Sequence, residues 1–402
     1  MARKVLISFV GTGALDKDST NKRQYLEATY RINGTDYRGA FIADVLTQHY
    51  DIDDIILIGT VKSMWEAVYE AFCKKKGRSF DEDYHIELGC HCADANRISP
   101  LELPQKEKLE NALGGKSHVV LIKYGLTEDE LEYNMSMILG IEKYLENGDE
   151  LYVDITHAFR SLPMFLMNTL IHIQNVSKKN VSISHIHYGM LDVKGELGYA
   201  QVVDMKKILD VNDWISGAYS FKEFGNAYKI SKLLNSEDKS ASELLRDFSD
   251  SKNINNIDAL QKHVQRLKSI KELPDIAQMT VAPVINDFVS RFGNSKSNSN
   301  YQYKLAKWHM DKHNYSVAYL VLTEAIITYV CEQCCYDDSN KSDRELAKDL
   351  LMNNSDYQGL KLIYNKVNGI RKTIAHAVAH DKSNATIIKT LKDAIKKLEN
   401  TL

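Results

Sequence analysis

The amino-terminal half of the chain alternates short apolar runs with longer segments whose apolar residues recur at helical spacing. Short β-branched runs predict buried strands, and the three-to-four spacing predicts amphipathic helices. The predicted strands are 4–10, 54–58, 84–88, 118–124, 151–153, 181–188 and 199–204. The predicted helices are 40–50, 64–75, 101–113, 127–145 and 162–176. Strands that alternate with helices favour a parallel sheet covered on both faces, wound in the right-handed sense.

An insertion separates the first predicted strand from the first predicted helix. Within it, residues 28–32 and 35–38 flank Asn33-Gly34, a dipeptide typical of a β-hairpin turn. We expect this hairpin to fold over one edge of the sheet, and its basic residues are typical of solvated charge. A second hairpin, with Gly195 in the turn between the last two strands, is expected to close the region.

After about Leu209 the apolar spacing is helical throughout. The predicted helices are 214–234, 241–248, 257–270, 276–292, 302–312, 316–335, 344–351, 357–376 and 384–400. The polar segment 293–300 is predicted to be a mobile loop. We therefore expect an α/β Rossmann-like domain over 1–208, a helical connector over 209–300 and an all-α domain over 301–402.

Charge and hydropathy change this picture little. The 402 residues carry a formal net charge of -3, so any RNA contact must come from a local basic surface. No uninterrupted apolar stretch reaches the roughly 18 residues of a membrane span. Residues 1–4 lead directly into the first strand rather than into a signal peptide, and we expect a cytoplasmic protein without a membrane segment.

The cysteines are Cys73, Cys90, Cys92, Cys331, Cys334 and Cys335. In a reducing compartment we expect free thiols. Cys90-His91-Cys92 and the Cys331/Cys334 pair each offer half of a metal site, but neither has a second pair at zinc-ribbon spacing. We therefore predict no metal. The last three cysteines lie in an apolar run predicted to be helical, where cysteine is a small core residue.

Polar residues gather at the turns where buried strands lead towards helices. The candidates for ligand contact are Gly11, Thr12 and Gly13 after the first strand, Thr60 and Ser63 after the second, and Asp154, Thr156, His157, Arg160 and Ser161 after strand 151–153. In open α/β sheets the carboxyl ends of the strands, beside helix N-termini, bind ligands. Hydroxyls, an imidazole, a guanidinium and free backbone N–H groups suit a phosphorylated ligand.

Several of these residues also have simpler roles open to them. Ser161, followed by Leu162 and Pro163, is a plausible helix N-cap, and Asp154 is suited to hold the turn or to orient His157. The glycines of the first turn do not complete a dinucleotide-binding fingerprint. This disfavours an ordinary nucleotide-dependent oxidoreductase.

The segment Asp-Ile-Thr-His-Ala at 154–158 resembles the Asp-x-Thr-His-Gly signature of CRISPR-associated proteins with a CARF domain, with Ala158 in place of the glycine. CARF domains are Rossmann-like sensors of cyclic oligoadenylates. The resemblance implies that the candidate residues bind a cyclic oligoadenylate across the two-fold axis of paired domains, with cyclic tetra-adenylate as the expected activator. It also permits slow cleavage of that ring with help from Thr156 or His157.

A second candidate site lies near the end of the chain. Arg371 and His376 fit the Arg-x4-His pattern, and their setting in a helical region behind a CARF-like half resembles the HEPN ribonuclease domain, here with Lys372 after the arginine. Five helical residues turn about 500°, which leaves the two side chains about 140° apart. A dimer axis, or an irregular helix start near Gly369, is therefore needed to bring both into one cleft.

The HEPN resemblance implies that His376 acts as general acid or base and that Arg371 neutralises the phosphate in the transition state. No metal is required, because RNA supplies its own 2′-hydroxyl nucleophile. Two other interpretations remain. His376 and His380 have metal-ligand spacing but lack the glutamate of a zinc protease helix, and an arginine and a histidine at a helix end also serve purely structural roles.

Together the two resemblances imply a cyclic oligoadenylate-activated, metal-independent endonuclease of single-stranded RNA in type III CRISPR defence. They imply a homodimer or a higher even-numbered oligomer without a further cofactor. The alternative is a regulator whose helical half binds protein or DNA and cleaves nothing. Loss of RNA cleavage with retained ring binding in His376→Ala separates the two.

Overall fold

The structure is a computed structural model and describes residues 2–12, 27–75, 77–157, 161–270, 272–377 and 382–402. It divides into two compact units, Met1–Asp210 and Val211–Leu402. The first unit holds a mostly parallel eight-stranded sheet with helices, and the second is helical in its described part. The predicted fold class, a Rossmann-like sheet followed by an all-α region, is confirmed.

The strands of the first unit are β1 Lys4–Val10, β2 Ala28–Ile32, β3 Thr35–Gly39, β4 Asp54–Gly59, β5 His118–Leu121, β6 Glu150–Asp154, β7 Ser182–Met190 and β8 Ala200–Asp204. Its helices are α1 Ile42–Tyr50, α2 Trp65–Lys75, α3 Glu82–Asp94, α4 Lys106–Leu113, α5 Glu128–Leu139, α6 Leu162–Asn175 and α7 Lys194–Leu197. Short 3-10 turns lie at Gly140–Tyr144 and Leu191–Val193.

The sheet runs in the order β3-β2-β8-β7-β6-β1-β4-β5. β1 lies between β6 and β4 and is parallel to both, so the chain builds the sheet outward from β1 in two directions. Side chains of β1 alternate between two cores: Leu6 packs on the side of α1 and α2, whereas Val5 and Ile7 pack on the side of α6. Burial on both faces explains why the central strands are almost uniformly apolar.

Two expectations for the edge of this sheet need correction. The hairpin of β2 and β3 does not fold over the sheet; it extends it, because β2 pairs in parallel with β8 through Tyr30 and Ala200. β7 and β8 are antiparallel, as predicted for a terminal hairpin. Gly195, however, lies inside the short helix α7 rather than in a simple turn.

The predicted strand 84–88 is wrong, since these residues belong to α3. Asp81 caps this helix, and its carboxylate accepts the backbone N–H of Tyr84 at 3.0 Å. Tyr84, Leu88 and Cys92 are its buried residues, four apart, which is the spacing of one helix face. The apparent strand was therefore one stretch of an amphipathic helix.

The second unit begins within α8 Lys207–Phe224 and continues with α9 Tyr228–Leu234, α10 Lys239–Asn253, α11 Ile257–Leu267, α12 Asp275–Thr280, α13 Ala282–Phe292, α14 Asn298–Asp311, α15 Tyr315–Gln333, α16 Lys341–Asn353, α17 Gln358–Ala375 and α18 Asn384–Leu398. The predicted loop 293–300 is shorter than expected, because Ser297 caps α14 and its hydroxyl accepts the N–H of Asn300 at 3.2 Å. Gly225, at φ 59°, separates α8 from α9 where one helix was predicted.

Helix α15 is the one described helix long and apolar enough to cross a membrane, and 61% of its apolar stretch is buried. Its side chains, among them Tyr319 and Leu322, lie in the core of the second unit, as expected of a core helix. Cys331 at its end is a buried core residue, as predicted, but Cys335 lies beyond the helix and is exposed. Within the described ranges all six cysteines are free thiols.

Candidate functional site

The first candidate site lies where β1, β4 and β6 end side by side. Because the three strands are parallel and paired, their carboxyl ends meet at one edge of the sheet. The chain winds outward from β1 in opposite directions, so the gap between β1 and β6 is the switch point of the sheet. A switch point opens the crevice in which α/β sheets bind ligands.

Asp154, the last residue of β6, forms the buried base of this crevice. The Ser8 hydroxyl of β1 donates to one of its carboxylate oxygens at 2.5 Å, and the Thr156 N–H donates to the other at 2.9 Å. Its side chain has no exposed surface. The carboxylate therefore spans the switch point and sets the direction of the turn after β6.

Burial sets the electrostatics of this turn. Burial raises the pKa of Asp154 above its ordinary value, and the nearby His157 and the two donors counter that rise. Burial lowers the pKa of the His157 imidazole, and the charge of Asp154 opposes that shift. Burial raises the pKa of Tyr30 in β2, and the charge of Asp154 adds to that rise. The edge hairpin thus supplies a residue to the same region.

Thr156 is held from a third strand. Its hydroxyl accepts the backbone N–H of Gly189 in β7 at 2.7 Å, and the N–H of Ile155 donates to the carbonyl of His187 at 3.0 Å. A Cβ at Gly189 would come within 2.9 Å of Ile42 Cδ1 and 3.3 Å of Thr156 Oγ1. Glycine at this position lets the turn and helix α1 approach the strand closely.

Thr60 and Ser63 fasten the turn after β4 to the end of β1. The Ser63 hydroxyl donates to the Val10 carbonyl at 2.7 Å and accepts the Thr60 N–H at 3.0 Å. The Met64 N–H donates to the Gly11 carbonyl at 3.1 Å. Both hydroxyl residues are buried, so the structure gives them the role of positioning Gly11 beside the crevice.

The remaining predicted residues divide into three groups. Thr12 is exposed beside the crevice, and His157 is partly buried there. Ser161 precedes α6, but its side chain makes no capping hydrogen bond, so the predicted cap is wrong in that detail. Gly13 and Arg160 lie outside the described residues, as do Ala158 and His380.

Sequence reasoning missed two residues of this site. Ser8 interrupts the apolar run of β1 and is fully buried, which marks a polar group with a buried partner. Gly189 acts through its backbone N–H, and the sequence alone carries no sign of that contact.

The second candidate site lies at the end of α17. Arg371 is partly buried, and its Nε donates to Asn368 Oδ1 at 3.0 Å one turn earlier. Burial raises the pKa of Tyr364. The charge of Glu324 adds to this rise, and the charge of Arg371 opposes it. His376 is the first residue beyond the helix and is exposed. Its backbone N–H donates to the Lys372 carbonyl at 3.0 Å.

Of the two alternatives for the second site, the structure does not support an irregular helix start near Gly369. Gly369 lies inside α17, which runs without interruption from Gln358 to Ala375. Arg371 and His376 therefore remain separated around the helix within one copy of the chain. Of the two arrangements considered from the sequence, a dimer axis is the one that this helix leaves open. Within the described ranges, no group of three or more His, Cys, Asp or Glu side chains is placed to hold a metal ion.

Comparison with known proteins gives two family matches that together cover most of the chain. Residues 5–191 match the model of the CARF domain of the CRISPR system endoribonuclease Csx1. Residues 210–299 match the model of the second domain of CRISPR-associated protein MJ1674. The first unit is therefore a CARF domain.

CRISPR-associated protein MJ1674 of Methanocaldococcus jannaschii is 36% identical to this chain over 406 residues. The alignment covers 95% of this chain and 63% of the relative, so the chain spans less than two thirds of the length of that protein. The chain is therefore a CARF-containing protein that is similar to CRISPR-associated proteins.

Among solved structures, Enterococcus italicus Csm6 bound to cyclic hexa-2′-fluoro-hexa-dAMP is similar over 99% of this chain and 93% of its own. The sequences are 11% identical and the TM-score is 0.34. A likeness this weak carries no argument about the site.

Proposed function

We propose that this protein is a cyclic oligoadenylate-activated, metal-independent endonuclease of single-stranded RNA in type III CRISPR defence, working as a cytoplasmic homodimer. In this proposal the CARF domain is the sensor, residues 209–300 are a connector, and residues 301–402 are a HEPN-like nuclease domain. The match of residues 210–299 to a separate domain family supports that division.

The sensor assignment rests on the geometry of the switch point. Asp154 and Ser8 hold the turn after β6 beside the end of β1, and exposed Thr12 lies on the opposite side of the crevice. Backbone N–H groups and hydroxyls at such an edge suit phosphodiester oxygens. We expect cyclic tetra-adenylate to bind here, across the two-fold axis of paired CARF domains.

In this proposal His376 exchanges protons and Arg371 binds phosphate. The exposed imidazole removes the proton of the 2′-hydroxyl or protonates the leaving 5′-oxygen. The bond from Arg371 Nε to Asn368 leaves the two terminal nitrogens of the guanidinium for the phosphate oxygens. The products are a 2′,3′-cyclic phosphate or 3′-phosphate and a 5′-hydroxyl.

One observation carries the proposal: a CARF domain shares the chain with a helical unit in which the Arg-x4-His pair stands at a helix end. On a regular helix the two positions would be about 140° apart, and His376 lies just beyond the end of α17, so in this proposal one copy holds an incomplete cleft. Ring binding to two CARF domains at once would favour the arrangement in which two such helix ends meet.

A second candidate is a regulator that binds the ring and cleaves nothing. It is favoured by the intrahelical bond between Arg371 and Asn368, which an arginine with a purely structural role also makes. In that case the helical unit binds protein or DNA.

The test is cleavage of a fluorogenic single-stranded RNA by the purified full chain, in EDTA and in Mg²⁺, alone and with cyclic tri-, tetra- or hexa-adenylate. We expect one ring to stimulate cleavage and the 5′ fragments to end in a cyclic phosphate or 3′-phosphate. Tight binding of a ring without any cleavage supports the regulator and contradicts the nuclease. Cleavage that EDTA abolishes contradicts the metal-independent mechanism.

A further inference from the structure

The last helix of the chain, α18, is a basic element in a protein that is slightly acidic overall. Its buried side chains, among them Ile387, Leu391 and Leu398, form the face towards α14, α15 and α17. Two tyrosine hydroxyls fasten its backbone: Tyr303 donates to the Ile395 carbonyl and Tyr319 to the Ile387 carbonyl. The helix is thus held in one orientation, and its outer face is fixed.

The outer face carries three lysines in a row. Lys389, Lys392 and Lys396 are exposed and follow the three-then-four spacing of one helix face, opposite the buried side chains. The row is about 10 Å long, since each residue advances the helix by 1.5 Å. The helix holds four lysines and one aspartate, a net charge of 4 - 1 = +3, against -3 for the whole chain.

Ordinary explanations account for only part of this row. Lys396 and Lys397 lie in the last turn, where positive charge stabilises the helix C-terminus. Lys389 and Lys392 lie in the first half and the middle of the helix, where that effect has faded. Although Asp393 is four residues from Lys389, none of the three lysines in the row makes an ion pair with a carboxylate among the described residues.

An ion pair and a groove flank the row of lysines. Glu399, just past the helix, pairs with Lys307 of α14 at 3.1 Å, so the acid at that end is already neutralised. On the side towards α17 lies a groove of about 720 Å³. Its lining includes Tyr329 and Tyr357, and its two lysines, Lys366 and Lys397, are balanced by Asp356 and Asp393. Aromatic rings beside a basic surface are what unpaired bases stack on while their backbone follows the charges.

The position of this surface in the chain connects it with the candidate cleavage site. His376 directly follows α17. Helix α18 begins at Asn384, eight residues after His376, and packs against α17. Resting on the proposed function, we propose that the Lys389, Lys392 and Lys396 face of α18 binds the phosphate backbone of the single-stranded RNA substrate outside the cleavage site. A backbone contact of this kind is independent of base sequence and depends on salt.

The test is RNA binding by the full chain in the His376→Ala background, which removes cleavage. The probe is a fluorescein-labelled 20-nucleotide polyuridine, measured by anisotropy from 50 to 300 mM KCl with each of the three cyclic oligoadenylates. Lys389→Gln/Lys392→Gln/Lys396→Gln is expected to weaken binding about tenfold or more at 100 mM salt. It should reduce the slope of log K against log salt by about 2, since each contact to a single strand contributes about 0.7.

The matched control is Lys239→Gln/Lys341→Gln/Lys348→Gln, three exposed lysines on other helices of the same unit. This control removes the same charge. It should leave the slope of log K against log salt equal to that of the parent protein within error. Glutamine preserves helix propensity, and the corresponding arginine variant of α18 should restore the slope. Equal loss in both glutamine triples would show a nonspecific charge effect and overturn the proposal.

Two further outcomes separate this proposal from the function it rests on. If the wild-type chain cleaves RNA and the α18 triple binds it with an unchanged slope, the basic face is not the RNA surface although the nuclease stands. If the His376→Ala chain binds no RNA and the wild-type chain cleaves none, the nuclease itself fails. Loss of binding to phosphatidylserine vesicles with unchanged RNA binding would assign the face to an anionic membrane and overturn the proposal.

Discussion

The two candidate sites differ in how firmly the fold holds them. In the CARF domain, Asp154 is fully buried and is bonded to Ser8 and Thr156, and Gly189 fixes the same turn from a third strand. In the helical unit, His376 is exposed just beyond the end of α17. The turn after β6 is held by contacts within a single copy of the chain. Arg371 and His376, both among the described residues, make no hydrogen bond with each other at the end of α17. Under the proposed function, ring binding therefore acts by assembling the second site rather than by reshaping the first.

The largest effect expected is on cleavage. His376→Ala should lower the ring-stimulated rate about a thousandfold, which is within the range for removal of a general acid or base. Ring affinity should be unchanged, because the substitution lies in the other unit. His313→Ala, another exposed histidine of the helical unit, serves as the control and should retain full activity. Wild-type activity in His376→Ala would remove that residue from the mechanism.

The next effect is on the pH dependence of stability. His187 is 3% exposed, and burial lowers its pKa to about 4. Unfolding returns the imidazole to about 6.5, so the unfolded state binds more protons between these values. The free energy of unfolding should therefore fall by about 3 kcal/mol as the pH drops from 6.5 to 4.

His187→Phe should remove this part of the pH dependence. Amide exchange of β6 and β7, followed from pH 7 to 4.5, localises the change to the CARF domain. An unchanged pH dependence in the variant would show that His187 is not a neutral buried group. The helical unit also holds a buried histidine with a lowered pKa. Burial, together with the charge of Lys252, lowers the pKa of His309 to about 3.

A smaller effect is expected at the switch point. Asp154→Ala leaves the Ser8 hydroxyl and the Thr156 N–H without their buried acceptor, at a cost of about 1–3 kcal/mol. The turn after β6 loses its support, and half-maximal activation should need about 10–100 times more ring. The rate at saturating ring should stay close to that of the wild type. Asp204→Ala is the control. It removes a carboxylate that pairs with His185 and accepts the backbone N–H groups of Ile186 and Lys206, and it should leave the activation curve in place.

The smallest effect expected is from Gly189→Ala. The added methyl group would press on Ile42 Cδ1 and the Thr156 hydroxyl, both of which have some freedom to move. We expect destabilisation of about 1–2 kcal/mol and a severalfold weaker ring affinity, measured by denaturant unfolding and calorimetry. Gly195→Ala, where a Cβ meets no neighbour, should change neither quantity. Equal effects at both glycines would count against the close approach at β7.

The sequence predicted much of the CARF domain because its central strands are buried on both faces and therefore read as continuous apolar runs. It placed Asp154 and Thr156 at a strand end correctly. It failed at α3, where the short window 84–88 hid a four-residue spacing that continues to Cys92. It also placed the edge hairpin wrongly, because the pairing of β2 with β8 joins residues about 170 apart.

The contacts within the site were harder to predict from the sequence than the position of the site. Ser63 was predicted to contact ligand, but its hydroxyl bonds to the Val10 carbonyl, a partner far away in the sequence. The helical unit gave the opposite result. The extent of α17 was predicted well from apolar spacing, yet the proposed joining of Arg371 and His376 in one cleft involves a second copy of the chain, which no local pattern specifies.

The most direct test of the account is a ring titration of RNA cleavage in EDTA by three proteins: the wild type, Asp154→Ala and His376→Ala. The account predicts that one ring stimulates the wild type about a hundredfold or more, that Asp154→Ala reaches the same rate at higher ring concentration, and that His376→Ala stays inactive at every concentration. A wild-type rate that no ring changes, or an Asp154→Ala curve identical to that of the wild type, would contradict it.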